Sequence, residues 1–159
     1  MLEKKEQHEL YVQDFRKKII EIENKLLDSE NELVFKGNTN NCPLTHSFSE
    51  GVYIREMAMP KGCVVIGAIH NISHTWFLMK GSLIIATEDG VDKYDAPVYF
   101  NAKPGHKRVL RALTDSIFIN VHPNPNNITD TDELEKILTS KSYKNYENMN
   151  KEKQTKLCQ

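Results

Sequence analysis

Five of the six histidines, His46, His70, His74, His106 and His122, fall between residues 46 and 122. Imidazole is the commonest metal ligand and titrates near neutral pH, so this clustering points to metal binding, acid–base chemistry or hydrogen bonding to a polar ligand. On a straight strand His70 and His74 would share a face but stand about 13 Å apart, too far for one small ion. Asn71-Ile72-Ser73 between them reads as a turn, and a hairpin there would bring both rings to one point. The same spacing suits a zinc-protease helix, but no Glu follows His70 and the flanking runs, Cys63–Ile69 and Ser82–Thr87, read as strand. His122 precedes Pro123 at the end of an apolar run, where it either joins the other two or bonds a loop carbonyl. Three imidazoles would leave open positions on an ion, as catalytic zinc or iron sites require. His106, after Pro104-Gly105, reads as a surface residue. His46 either lines a mouth or caps a loop.

Arginine is scarce, with four against 17 lysines, yet Arg55, Arg108 and Arg111 all lie in this same stretch. A guanidinium keeps its proton and matches carboxylate or phosphate with a planar fork, which would explain Arg where Lys is the habit. Tyr53, Trp76, Phe77, Tyr99 and Phe100 have core packing as their default role, and one or two of them could stack on a flat ligand. Lys103, Lys107, Arg108 and Arg111 form a local basic cluster. Acidic stretches elsewhere balance it, the net charge is −1, and no nucleic-acid partner is expected. No apolar run reaches 18 residues, and the first ten residues are charged, so neither a membrane span nor a signal peptide is expected. Cys42, Cys63 and Cys158 are too scattered for a disulfide framework and read as free thiols in a reducing cytoplasm.

Three zones must position these side chains. Residues 1–36 lack Gly and Pro and predict an amphipathic helix. His8, Val12, Phe15, Ile19, Ile22, Leu26, Ser29 and Leu33 alternate at spacings of four and three. That stripe serves equally as a coiled-coil seam building a homo-oligomer or as the face of a helix docked on the rest. Lys36 to Pro43 breaks the helix. Residues 37–125 then carry short β-branched runs between turn signals: Val52–Met57, Cys63–His70, Trp76–Thr87, Ala96–Asn101, Lys107–Leu113 and Ser116–His122. They predict a mainly β sandwich or barrel. Residues 126–159 offer a short helix, Asp132–Leu138, with Thr129 near its start, and then a polar tail expected to fray beyond Ser140.

The run Pro60-Lys61-Gly62, Gly67 to His74 and Lys80-Gly81-Ser82-Leu83 resembles the first motif of a cupin. Lys103 to Arg108 stands where the second would lie. The resemblance covers residues 43–122 and implies a jelly-roll β-barrel. A group of small cupin-like bacteriophage proteins is also similar, through Cys42-Pro43 with His46, Tyr53 to Glu56, and Val121-His122-Pro123. Carried over by position, the cupin ligand set falls on Ala68, His70, His74 and Arg108. Two of the four are imidazoles, Ala68 offers nothing, and Arg108 repels a cation.

If Arg108 points inward as the aligned histidine would, the pocket favours an anion. The resemblance then implies a binding module in which a small anionic molecule meets Arg108, His70 and His74, with Arg55, Tyr53 and Arg111 as further contacts. In a phage that ligand would be a host nucleotide signal, captured in the host cytoplasm. Two alternatives stand beside it. One is a metal-dependent cupin enzyme of oxygenase, isomerase or hydrolase type, holding Fe, Zn, Mn or Ni on His70, His74 and His122. The other is a virion or assembly scaffold.

Overall fold

The computed structural model describes residues 2–30 and 41–157. Helix α1 (Leu2–Leu27) comes first. The strands follow: β1 (Leu44–Ser49), β2 (Gly51–Met59), β3 (Val64–Ile66), β4 (Ile69–His70), β5 (His74–Lys80), β6 (Ser82–Thr87), β7 (Gly90–Asp95), β8 (Val98–Ala102), β9 (Val109–Ala112) and β10 (Ser116–Asn124). Helix α2 (Thr131–Leu138), strand β11 (Thr139–Ser140) and helix α3 (Tyr143–Leu157) close the chain. One sheet runs β1-β2-β10-β5-β8 and the other β3-β9-β6-β7, with neighbours antiparallel, while β4 and β11 pair as a short ribbon. Two sheets enclosing a common core match the sandwich that the strand pattern implied and the jelly roll that the resemblance implied.

Strand alternation builds the core. Leu110 and Ala112 of β9 are buried between the sheets, and Arg111 between them is exposed. Met59, Trp76, Leu78, Leu83, Ile85 and Phe118 complete the cluster. Burying one such side chain contributes about 1.5–3 kcal/mol, so this apolar end holds the sheets together while the other end carries polar groups.

The run Trp76–Thr87 is two strands rather than one. Gly81 turns the chain at φ +85°, and a Cβ there would collide with Ser116 Oγ and Asp115 O. β1 and β7 lie at sheet edges, where exposed polar residues mask the alternation, and neither stood out in the sequence.

The stripe on α1 divides between its two readings. Ile19 is buried and Phe15 and Val12 are partly covered, whereas Ile22 and Leu26 are exposed at 50% and 36%. Leu33, the break at 37–40 and Cys158 lie outside the described residues. Among the described residues, no helix is long and apolar enough to cross a membrane.

The C-terminal zone is more ordered than its polarity implied. The cap of α2 is Asp130, whose Oδ1 accepts from the N–H groups of Asp132 and Glu133 at 2.9 and 3.1 Å. Leu134 and Leu138 of α2 pack with Tyr53, Ile72 and Ile128 in a second small core. Where a frayed tail was expected, α3 is anchored by its first turn. Tyr143 donates to Glu88 Oε1 at 2.7 Å, and the Arg16 guanidinium of α1 lies 4.2 Å over the Tyr143 ring and 3.6 Å from Glu88. Glu88, 2% exposed, also accepts from the Lys107 N–H, and Lys107 Nζ donates to Glu23 of α1 at 2.7 Å. Both terminal helices thus converge on the β6–β7 turn.

Candidate functional site

His70 and His74 flank the turn at Asn71–Ser73, which is not a hairpin, since β4 pairs with β11 and β5 with β10 and β8, yet it places their ring centroids 4.1 Å apart. The turn is held by the C-terminal segment. Asn71 donates its N–H to Leu138 O and its Nδ2 to Ile137 O, and Ser140 Oγ donates to Asn71 Oδ1 at 2.6 Å. His70 O accepts from Gly105 N–H at 2.8 Å, tying the 103–108 loop to the same turn. His122, on the adjacent β10, adds a third ring at 4.5 Å from His74 and 5.3 Å from His70. All three are buried, and one nitrogen from each lies within 4.8 Å of the others.

Arg108 enters this cluster from the residue immediately before β9, the strand that carries Leu110 and Ala112 inward. Its Nη2 donates to His74 Nε2 at 2.8 Å and to Asn120 Oδ1 at 3.4 Å. His74 Nε2 also lies 3.1 Å from Asn120 Oδ1, and His74 Nδ1 lies 3.5 Å from Ile72 O; accepting from the guanidinium at Nε2 places the ring proton on Nδ1. Arg108 is 6% exposed, its Nη1 has no partner, and no carboxylate among the described residues pairs with it. Burial pulls its pKa from 12.5 down to about 10. Burial, reinforced by the Arg108 charge, holds His70 well below its usual range and lowers His74 to about 4. Burial, with His74 and Arg55 adding to it, lowers His122 to about 3. At neutral pH the site is therefore three neutral imidazoles around one buried cation.

His70, His74 and Arg108 line a cleft of about 150 Å³, together with Trp76, Tyr94, Phe100, Thr87, Asp89, Asp92, Lys103 and His106. Tyr53, Arg55 and His122 stand behind that lining. Tyr53 is buried under α2, its O–H bonds His46 Nδ1 at 2.8 Å, and its ring lies 5.8 Å from His122. Arg55 is the cross-strand partner of both Asn120 and His46, and its charge helps keep His122 neutral. Arg111 takes no part: one residue of alternation separates it from Leu110 and Ala112 and turns it to the outside. His106 sits at the rim, with Nδ1 3.6 Å from Asp89. The basic cluster read from the sequence disperses, for Lys103 pairs with Asp89 and Lys107 with Glu23.

Comparison with protein-family models and with curated proteins gives no match. Among solved structures, KdgF from a Halomonas species superposes with a TM-score of 0.50 at 12% identity, covering 61% of this chain and 90% of that one. The likeness is one of fold alone, a cupin-like jelly roll. An RmlC-like cupin family protein with a double-stranded β-helix fold from Methanocaldococcus jannaschii matches at 20% identity and TM-score 0.46, over 58% of this chain and 89% of its own. A cupin-2 domain protein from Shewanella frigidimarina gives 13%, 0.44, 57% and 85%.

Set against the ligand pattern of a metal-holding cupin, the donor chemistry fits in part. His70, His74 and His122 are buried and neutral and could hold one ion, and Nδ1 of both His70 and His122 is buried without a partner. Their separation of up to 4.8 Å exceeds the roughly 3.3 Å that tetrahedral coordination at 2.0–2.1 Å imposes, so the rings must close in. The guanidinium does not fit. Arg108 lies 2.8 Å from His74 Nε2, and it must withdraw before that nitrogen can ligate.

Asn120, Tyr94 and Glu88 were missed by the sequence reading. Asn120 lies two residues before His122 and two after Phe118, so strand alternation alone would have placed it inward. Nothing local marks Glu88, because its partners Arg16, Lys107 and Tyr143 are far away in the chain.

Proposed function

We propose that this cupin-fold protein binds a small anion in its cleft, with Arg108 as the principal recognition group. The observation that carries the reading is a buried guanidinium beside the cleft with no carboxylate partner and an unpaired Nη1. A buried charge is costly unless paired, and a ligand carboxylate or phosphate would pair it bidentately. His74 and Asn120 hold the fork by accepting from Nη2, and Arg55 adds positive charge from behind. Capture of a host nucleotide signal by a phage protein rests on the sequence resemblance alone. A homo-oligomer draws support from the exposed Ile22 and Leu26 of α1.

Titration calorimetry with acetate and inorganic phosphate, on the full chain and on Arg108→Gln, tests the proposal. Binding of either anion that Arg108→Gln lowers by about tenfold or more supports it, given about 1.5–3 kcal/mol for a charged hydrogen bond. Absence of binding, or binding indifferent to the substitution, refutes it.

A metal centre is the second reading, favoured by three neutral imidazoles with two unpartnered nitrogens. His70, His74 and His122 would hold Zn, Fe, Mn or Ni, and the ion would supply Lewis-acid polarisation of an oxygen on a substrate. Around it, this chain would orient the ligand through Asn120 and screen it from water behind Trp76. Metal content by inductively coupled plasma mass spectrometry decides: one ion per chain, lost in His74→Ala, would establish this reading.

A further inference from the structure

We propose that the ligand is a small acid carried on a single flat ring, its carboxylate on Arg108 and its ring against Trp76 and Phe100. This rests on the anion reading above and narrows it.

The wall of the cleft beside Arg108 is aromatic. Trp76 lies 5.2 Å from Phe100 and 5.2 Å from Tyr94, and Tyr94 lies 5.0 Å from Phe100, with the Tyr94 ring steeply inclined to both. Phe118 lies 5.3 Å from Trp76 on the core side, and the Arg108 guanidinium sits 5.8 Å from the Phe118 ring centre. Charge and aromatic surface are therefore contiguous, the arrangement a ring with one carboxylate would match. Phe100 is 44% exposed although the neighbouring Trp76 is buried, so the wall keeps an uncovered aromatic surface at the cleft. Aromatic pairs prefer offset or edge contacts with centroids about 4.5–7 Å apart, and a further ring there would extend this cluster in the same geometry.

Size and rim charge select against larger anions. At about 150 Å³ the cleft compares with a cavity that takes one benzene, and is about half the size at which drug-sized sites begin. A nucleotide would stand largely outside. Its phosphates would meet Asp89 and Asp92 at the rim, where the nearby cation Lys103 already pairs with Asp89 at 3.2 Å. A monoanion with an apolar body avoids that repulsion.

The test is calorimetry of the full chain with benzoate, acetate and adenosine monophosphate, on wild type, Arg108→Gln and Phe100→Ala. Burying one ring face predicts benzoate tighter than acetate by about 30-fold at ~25 cal/mol per Å². Phe100→Ala, a change on an edge strand, should cut that ratio several-fold, and Arg108→Gln should abolish benzoate binding. Equal binding of benzoate and acetate, both dependent on Arg108, overturns the ring assignment and leaves the anion reading standing. Adenosine monophosphate binding tighter than benzoate likewise overturns the ring assignment alone. Benzoate binding that survives Arg108→Gln overturns both, as does the absence of any anion binding.

Discussion

Replacing Arg108 by methionine separates what the guanidinium does for the fold from what it does for a ligand. Burial lowers its pKa from 12.5 to about 10, and at 1.36 kcal/mol per unit the ligand-free protein bears about 3 kcal/mol for keeping the charge inside. The sign follows from the direction. The fold disfavours the charged form, so the cost is fully present below pH 10 and is relieved as pH rises through 10 towards 12.5. Methionine removes the charge and keeps most of the apolar volume. The partners left behind can satisfy each other. His74 Nε2 lies 3.1 Å from Asn120 Oδ1, and once the guanidinium is gone the ring can move its proton to Nε2 and donate to that oxygen. The variant should therefore be more stable than wild type by about 1–3 kcal/mol, in line with the 1–4 kcal/mol seen when buried ions give way to apolar residues. For a chain of this length that raises Tm by on the order of 5 °C. Thermal unfolding in Tris chloride, without carboxylate or phosphate, is the assay, and the gap should narrow or invert when a binding anion is added to wild type. A variant that melts below wild type in that buffer would refute the reasoning, because it would show that the site already compensates the charge.

Three further outcomes follow from the same structure. Below pH 6.5 the metal-free protein should lose stability at about 1.4 kcal/mol per pH unit for each buried neutral histidine, because the unfolded chain takes up protons that His74 and His122 refuse until about pH 4 and 3. Urea titrations between pH 7 and 4.5 measure this slope, and His122→Asn should flatten it. Gly81→Ala should cost about 3 kcal/mol or more, through positive φ and the clash with the 114–116 turn, and soluble yield or denaturant midpoint reads it. Glu88→Gln should weaken the fold by about 2–4 kcal/mol by removing the charge opposite Arg16, and hydrogen exchange should rise in both α1 and α3 rather than in the strands.

The sheets were legible in the sequence where strands lie inside them. Val52–Met57 and Ser116–His122 carry β-branched and aromatic residues, and β2 and β10 are interior strands paired along both edges. Edge strands β1 and β7 were not legible, since exposed positions there tolerate any polar residue. The approach of His70 and His74 was legible from the turn at Asn71-Ile72-Ser73 and a distance argument, since imidazoles about 13 Å apart on a straight strand must be folded together to share a ligand, although the turn joins strands of different sheets rather than forming a hairpin. The helix α3 was invisible for the opposite reason. Its anchors, Tyr143 and Tyr146, are two rings in a lysine-rich stretch, and what they bind, Glu88 and Gly105, lies about 40 to 55 residues away.

The arginines show where sequence reasoning stops and register begins. Arg55, Arg108 and Arg111 share one composition argument, that Arg is used where Lys is the habit, and it cannot rank them. At β9 the ranking comes from parity: Leu110 and Ala112 must face the core, so Arg108, one residue before the strand, shares their inward side and Arg111 faces outward. On β2 it comes from pairing, because Arg55 lies opposite Asn120, which in turn lies opposite Trp76. Parity is computable from the sequence once one inward residue is known, and the apolar Leu110 supplies it. Pairing across β10 is not, because it depends on how a strand more than 60 residues away is aligned with β2. The same distinction explains why alternation could turn Asn120 inward with Phe118 and His122 but could not set it beside Arg108.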